Sequence, residues 1–242
     1  MNSKKNYTKL SKNIFRVLHC GKQEKRFINE IADYVIAIAN HSAQMLNTLY
    51  GVDKSKITLI QNGLEDSNIE RRIEEKKNIR KRFYLGENEK VLLFVGRLTP
   101  VKGVEQLIEA FKLVLKQIFD SRLIIVGEGL EIDMQQYFKQ CYPIWSKIIF
   151  TGYIPKDVLL ELYTIADIGI VPSIHEEFGY VAVEMMMAGL PVIANKTSGL
   201  IDIFEENVNG TFVTLGKNSP ESSQLFASKI VGLLNPTCQI FP

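Results

Sequence analysis

A chain of 242 residues with 29 Lys and Arg against 27 Asp and Glu carries a formal charge of +2, a balance that argues against a bulk electrostatic partner such as nucleic acid. With 46% apolar residues it can build a sizeable core in one or two domains, which excludes a mainly disordered chain. Its longest apolar runs, such as Val91 to Val95, fall far short of the roughly 18 to 20 residues that a membrane-crossing helix needs.

Residues 1–30 hold eight basic side chains against Glu24 and Glu30, with no apolar stretch of signal-peptide length behind them. A basic helix there suits either a peripheral contact with anionic lipid or plain solvent. Next come two expected strands, Tyr34 to Ala39 and Lys56 to Ile60, around a helix from Ser42 to Tyr50 that Gly51 can stop. Asn62-Gly63 marks a tight turn, and Glu65 to Lys81 is charged and helix-compatible, with little apolar surface before Phe83. The expected division is therefore 1–65, a linker or helix over 66–88, a main domain over 89–235 and a tail over 236–242. Two strands and one helix cannot bury a core alone. The first part either packs on the rest or ends a domain whose beginning is absent from this chain.

From Val91 onward, short runs of Val, Ile and Leu alternate with helical patterns, which predicts α/β architecture with a doubly wound parallel sheet. Strands are expected near Val91 to Val95, Leu123 to Val126, Ile148 to Phe150, Ile168 to Val171, Pro191 to Ala194 and Thr211 to Val213. Between them, Val104 to Ile118 places Leu107, Ile108, Phe111, Val114, Leu115 and Ile118 on one helical face. Asp157 to Ile165, Val181 to Ala188 and Gln224 to Leu234 are the other expected helices. Cys20, Cys141 and Cys238 are far apart and lack metal or redox spacing. A reducing, cytoplasmic setting fits them, with membrane association left to the basic amino terminus.

Three stretches can carry chemistry. Gly96 to Gly103 (GRLTPVKG) joins the first main strand to a helix, and ligands of open α/β sheets bind beyond the carboxyl ends of strands. Gly96 allows close approach, the Arg97 fork can grip phosphate oxygens, and Lys102 adds a compact charge near a helix start. A surface loop with two solvated cations explains the same residues. Gly127 and Gly129 follow the next strand, where a tight turn competes with a ligand loop; without G-x-G-x-x-G, NAD binding is disfavoured. The third stretch, His175 to Ala194, runs acidic loop, glycine, helix, strand. Glu176 and Glu184 there can accept sugar hydroxyls, and the amides after Gly179 favour an anion. Acids that merely complement a helix dipole are the alternative.

The spacing from Glu176 to Glu184, the Phe178-Gly179 pair, the run Ala188 to Ala194 and the Gly96-Arg97 to Gly103 loop with Lys102 together resemble retaining family 4 glycosyltransferases of the GT-B architecture. Ala32 to Gly63 looks like the end of that family's amino-terminal domain, so the likeness covers about residues 30 to 235. The resemblance implies that Arg97 and Lys102 neutralise the diphosphate of a nucleotide-sugar donor, without a metal or other cofactor. It further implies that Glu176 contacts the transferred sugar, Glu184 accepts from the ribose, and backbone around Gly96, Gly127, Phe178, Gly179, Tyr180 and Val181 approaches the donor. The acceptor would be a glycan, a lipid or a protein, and transfer would retain configuration.

Departures from the family pattern are Ser198-Gly199-Leu200-Ile201-Asp202, where Gly-Gly-x-x-Glu is common, together with Glu177 and Met185. A full GT-B enzyme has two Rossmann-like domains, so the resemblance also implies a chain truncated at its amino terminus. Two other classes share these features: a non-catalytic nucleotide-sugar binding module, and a GT-B sugar phosphorylase or epimerase.

Overall fold

The computed structural model describes residue 26 and residues 28–65, 73–206, 208–214 and 220–235. Residues 1–25 and 27 of the basic segment expected to meet lipid or solvent, with Cys20 among them, and the tail over 236–242 with Cys238 lie outside the described residues. The chain forms two compact units, Met1–Gly63 and Leu64–Pro242.

In the first unit, β1 (Val35–Ala37) and β2 (Ile57–Leu59) pair in parallel, Val35 opposite Ile57, with helix α1 (Asn40–Thr48) between them. Ile28, Ala32, Val35, Ala37, Leu46 and Val52 form its core. Gly51 follows α1 at φ 72, the left-handed turn expected of it. Lys56 Nζ donates to the carbonyls of Asn29 and Ala32 at 3.0 Å each, tying the segment before β1 to the start of β2.

The second unit is a six-stranded, all-parallel sheet of β3 (Lys90–Val95), β4 (Ser121–Val126), β5 (Ile148–Gly152), β6 (Ile168–Val171), β7 (Val192–Asn195) and β8 (Thr211–Val213), in the order β5-β4-β3-β6-β7-β8. All six strands lie where the apolar runs place them. Alternation along β3 sends Leu92 and Phe94 to one face and Val91 and Leu93 to the other. The first face is covered by α3 (Val104–Leu115), α4 (Glu131–Cys141) and α8 (Pro220–Leu234). The second is covered by α2 (Ile73–Arg82), α5 (Lys156–Ile165), α6 (Tyr180–Met187) and α7 (Ser198–Ile201). Both faces of the sheet are dry, which is why its strands read as continuous apolar runs.

Some expectations shift. Helix α3 ends at Leu115 rather than Ile118, because the chain tightens into a turn in which the Gln117 and Ile118 amides both donate to the Val114 carbonyl. Helix α4 and the short α7 were not anticipated. In α4 only Tyr137 and Cys141 are buried, too few for a periodic stripe. Burial pushes the Cys141 thiol up to about 12, so it packs as an inert apolar group. The charged stretch before Phe83 contains α2, whose Ile79 joins the core. Its Arg80 is also buried and donates to the carbonyls of Gly86 (2.6 Å), Glu89 (2.5 Å) and Ile165 (3.4 Å). One guanidinium thereby ties α2 to the loop before β3 and to the last residue of α5.

Helix α2 closes with the Leu85 amide donating to the Arg80 carbonyl at 2.9 Å and Tyr84 at φ 54. An L residue in that conformation is strained by about 1 kcal/mol, and the Tyr84 ring, 89% exposed, recovers little of it by packing. Tyr84→Gly is therefore expected to raise stability in urea unfolding by about 0.5 kcal/mol after the entropy of the unfolded glycine is counted. A lowered unfolding midpoint would refute this account of the turn.

Candidate functional site

Because all six strands run the same way, their carboxyl ends line one edge of the sheet. The chain winds outward from β3 through β4 to β5, then returns to lay β6 against the other side of β3. The loops after β3 and β6 consequently diverge around the switch point, the usual ligand crevice of such sheets. One is Gly96 to Gly103; the other is Pro172 to Gly179.

The two loops touch. Lys102 Nζ lies 2.6 Å from Glu176 Oε2, and the Ile174 amide donates to the Val101 carbonyl at 2.8 Å. The paired side chains are only 20% and 17% exposed, so solvent screens their attraction less than at an open surface. An ammonium has three donors, and one bond to Glu176 leaves two for a further acceptor. Lys102 ends a 3-10 turn, Pro100–Lys102, and Gly103 then starts α3 at φ 72. A methyl group at Gly103 would press on the Pro172 carbonyl oxygen well inside van der Waals contact. Glycine there is what lets the β3 loop lie directly on the β6 loop.

A third loop, after β7, braces the second from the far side. Asn195 Nδ2 donates to the Ser173 carbonyl (2.9 Å), Thr197 Oγ1 to the Ile174 carbonyl (3.3 Å), and the Gly199 amide to the Glu176 carbonyl (3.0 Å). A Cβ at Gly199 would strike the Glu176 carbonyl oxygen. Gly199 is thus a structural part of the site that the expected residue set lacked. The signal for it was a glycine one residue into a helix that follows a strand.

Gly179 takes φ 93 and turns the chain into α6, accepting from the Ala182 amide at 3.0 Å and the Val183 amide at 3.3 Å. The Tyr180 and Val181 amides stand ahead of those bonds, at the open end of the helix. Phe178 is buried, with its ring 5.0 Å from that of half-exposed Tyr180. Glu184, one turn along, is half-buried, and its Oε2 accepts from the Tyr163 hydroxyl at 2.9 Å. Burial, reinforced by the Glu184 charge, pushes the Tyr163 phenol far above its ordinary pKa. The phenol therefore remains a proton donor.

Gly127 packs against the first loop. Its missing Cβ would collide with the Gly96 carbonyl oxygen, while the Gly96 amide donates to the Val126 carbonyl (3.0 Å) and the Leu98 amide to the Glu128 carbonyl (2.7 Å). Close backbone contact between two loops explains Gly127 and Gly129 better than a tight turn does. Arg97 is exposed, and its guanidinium makes no ion pair among the described residues. The structure thus joins Lys102 to Glu176 and Gly96 to Gly127, and leaves Arg97 exposed on the first of these loops. His175, in the same loop, pairs with Glu177 Oε1 at 2.8 Å near the surface.

Fold and site define a doubly wound α/β domain with a lysine–glutamate pair and an open helix end at its switch point. The family model for glycosyl transferases group 1 matches residues 75–231, and the chain belongs to that family. It is similar to an uncharacterized glycosyltransferase of Methanocaldococcus jannaschii, with 36% identity over 184 residues that cover 74% of this chain and 46% of that protein. A 2-deoxystreptamine glucosyltransferase of Streptomyces kanamyceticus is 29% identical over 69% of this chain and 44% of its own. Among solved structures, HepE of Anabaena in complex with UDP superposes with a TM-score of 0.80 at 25% identity, covering 92% of this chain and 60% of that one. The structural neighbours have the GT-B architecture expected from the motifs. The chain spans just under half the length of the curated relatives it matches. No helix among the described residues is long and apolar enough to cross a membrane.

Proposed function

We propose that this chain carries the donor side of a retaining glycosyltransferase site of the family 4 type. It would bind a nucleotide-activated sugar for transfer to a glycan, lipid or protein acceptor, in the cytoplasm, with its basic amino terminus either solvated or in peripheral contact with lipid. The observation that carries the reading is the Lys102–Glu176 pair at the switch point, which sets a cation and a carboxylate side by side where such sheets bind ligands.

In this reading the two unspent Lys102 donors and the exposed Arg97 fork meet the donor's diphosphate. As the bond between the sugar's anomeric carbon and the phosphate oxygen breaks, negative charge grows on the leaving diphosphate. Preset cations lower the barrier by stabilising it, and they do so without a resident metal. The Tyr180 and Val181 amides beyond Phe178 and Gly179 add dipoles of the same sign. Glu176, held by an ammonium, is a weakened nucleophile and a good acceptor for sugar hydroxyls, which favours front-face attack over a covalent glycosyl enzyme. Glu184 accepts from the ribose, and the packed glycines Gly96 and Gly127 keep the loops low enough for the donor to enter.

The test is calorimetric titration of the folded chain with UDP, GDP and ADP without metal. UDP comes first, because HepE of Anabaena was solved with it. One nucleotide is expected to bind, with affinity falling about tenfold or more in Arg97→Ala and in Glu184→Ala, as loss of a charge-assisted hydrogen bond requires. Binding of none of the three, or binding indifferent to both substitutions, would overturn the reading.

A further inference from the structure

Tyr163 stands in the last turn of α5, outside every motif that points to the donor. Its ring is 1% exposed, enclosed by the core on the second face of the sheet. A tyrosine buried this deeply needs a partner for its hydroxyl, and the partner is Glu184 Oε2 at 2.9 Å. Phenylalanine would fill the same volume, so packing alone does not call for the hydroxyl.

We infer that Tyr163 is a positioning residue that pins one oxygen of Glu184, so that the carboxylate meets the vicinal hydroxyls of a ribonucleotide already oriented, and thereby sets the preference for ribose over deoxyribose. The inference rests on the donor-site reading above. A glutamate on a helix surface samples several rotamers, and ordering it on ligand binding costs affinity. The phenol pays that ordering cost during folding, because the core holds the Tyr163 ring. The bond is one-directional: the buried phenol is a donor and the carboxylate offers only acceptors. A carboxylate has about four lone-pair positions, so the bond to Tyr163 leaves Oε1 and one position on Oε2 for a diol. A site built around such a hydroxyl discriminates against the analogue that lacks it, because the acceptor is then left unpaired.

The experiment compares the nucleoside diphosphate that binds among UDP, GDP and ADP with its 2′,3′-dideoxy counterpart, by calorimetry, on the wild-type chain, Tyr163→Phe, Glu184→Ala and the double variant. Tyr163→Phe preserves core volume, and thermal melting confirms that each variant is folded. The wild type is expected to prefer the ribonucleotide by about tenfold or more. Tyr163→Phe should lower that preference roughly fivefold while leaving affinity for the dideoxy compound unchanged. Glu184→Ala should abolish the preference, and the double variant should be no different from Glu184→Ala, since the phenol acts only through the carboxylate. Equal weakening of both nucleotides in Tyr163→Phe, or a preference unchanged from wild type, would show that the hydroxyl serves the core alone and would overturn the inference while the donor site stands. A wild type that binds a diphosphate without regard to its ribose overturns it as well. A wild type that binds no diphosphate removes both readings.

Discussion

Gly103→Ala is expected to destabilise the second unit by about 3 kcal/mol and to abolish nucleotide binding. Two effects add. The left-handed backbone at φ 72 disfavours any side chain by about 1 to 2 kcal/mol. The larger effect is the collision with the Pro172 carbonyl, which relaxes only if the β3 and β6 loops move apart, as in an overpacked core. Moving apart stretches the bond from the Ile174 amide to the Val101 carbonyl and separates Lys102 from Glu176. Urea unfolding measures the first consequence and calorimetry the second. A variant as stable as wild type that binds nucleotide normally would show that the two loops are not held as described.

The second large effect belongs to the pair itself. Lys102→Met keeps the length of the side chain but strands the Glu176 carboxylate, 17% exposed, without its cation. Breaking a buried ion pair from one side costs about 3 to 5 kcal/mol; partial exposure brings the expected loss here to about 1 to 2 kcal/mol. Turnover, assayed in a protein that includes the acceptor side, should fall about 10² to 10³-fold, the usual consequence of removing one donor to a developing charge. Lys102→Met with Glu176→Gln removes both charges, so it should regain most of the stability and none of the activity. Recovery of activity in that double variant would mean that Lys102 serves only to neutralise Glu176 and never meets the donor.

Much of the sheet was legible because burial on both faces writes each strand as a short apolar run. Val91 to Val95 and Ile168 to Val171 needed no further information. The stripe along Val104 to Leu115 was legible for the same reason, since eight of its residues are buried. Helix α4 was not, because it covers the sheet margin with Tyr137 and Cys141 and leaves Leu130 before it and Ile132 within it exposed. In the site, Arg97, Lys102, Glu176 and Glu184 stood out as charges in loops or early helix next to glycine. Their grouping did not, because 74 residues separate Lys102 from Glu176 and only the placement of β6 beside β3 brings them into contact. Tyr163 resembled one more core aromatic in an apolar helix. Gly199 was visible as a glycine after a strand, but the contact its amide and missing side chain make with the Glu176 loop depends on the placement of β7 beside β6.

The seam between β3 and β6 is also the strand pairing of this sheet that closes the longest stretch of chain. Within β3-β4-β5 and within β6-β7-β8, each strand is joined to its neighbour through a nearby crossover, so either half can gather from contacts that are local along the chain. The seam cannot. Asp167 receives the Val91 amide at 2.8 Å across 76 residues, and closing so long a loop carries an entropic penalty that only the finished core offsets. The crevice exists only where that seam is closed, because its two loops leave the adjacent strands β3 and β6. The halves are not separate cores, since α8 after β8 packs with α3 and β3 in one cluster, so opening the seam exposes core residues as well as abolishing the site.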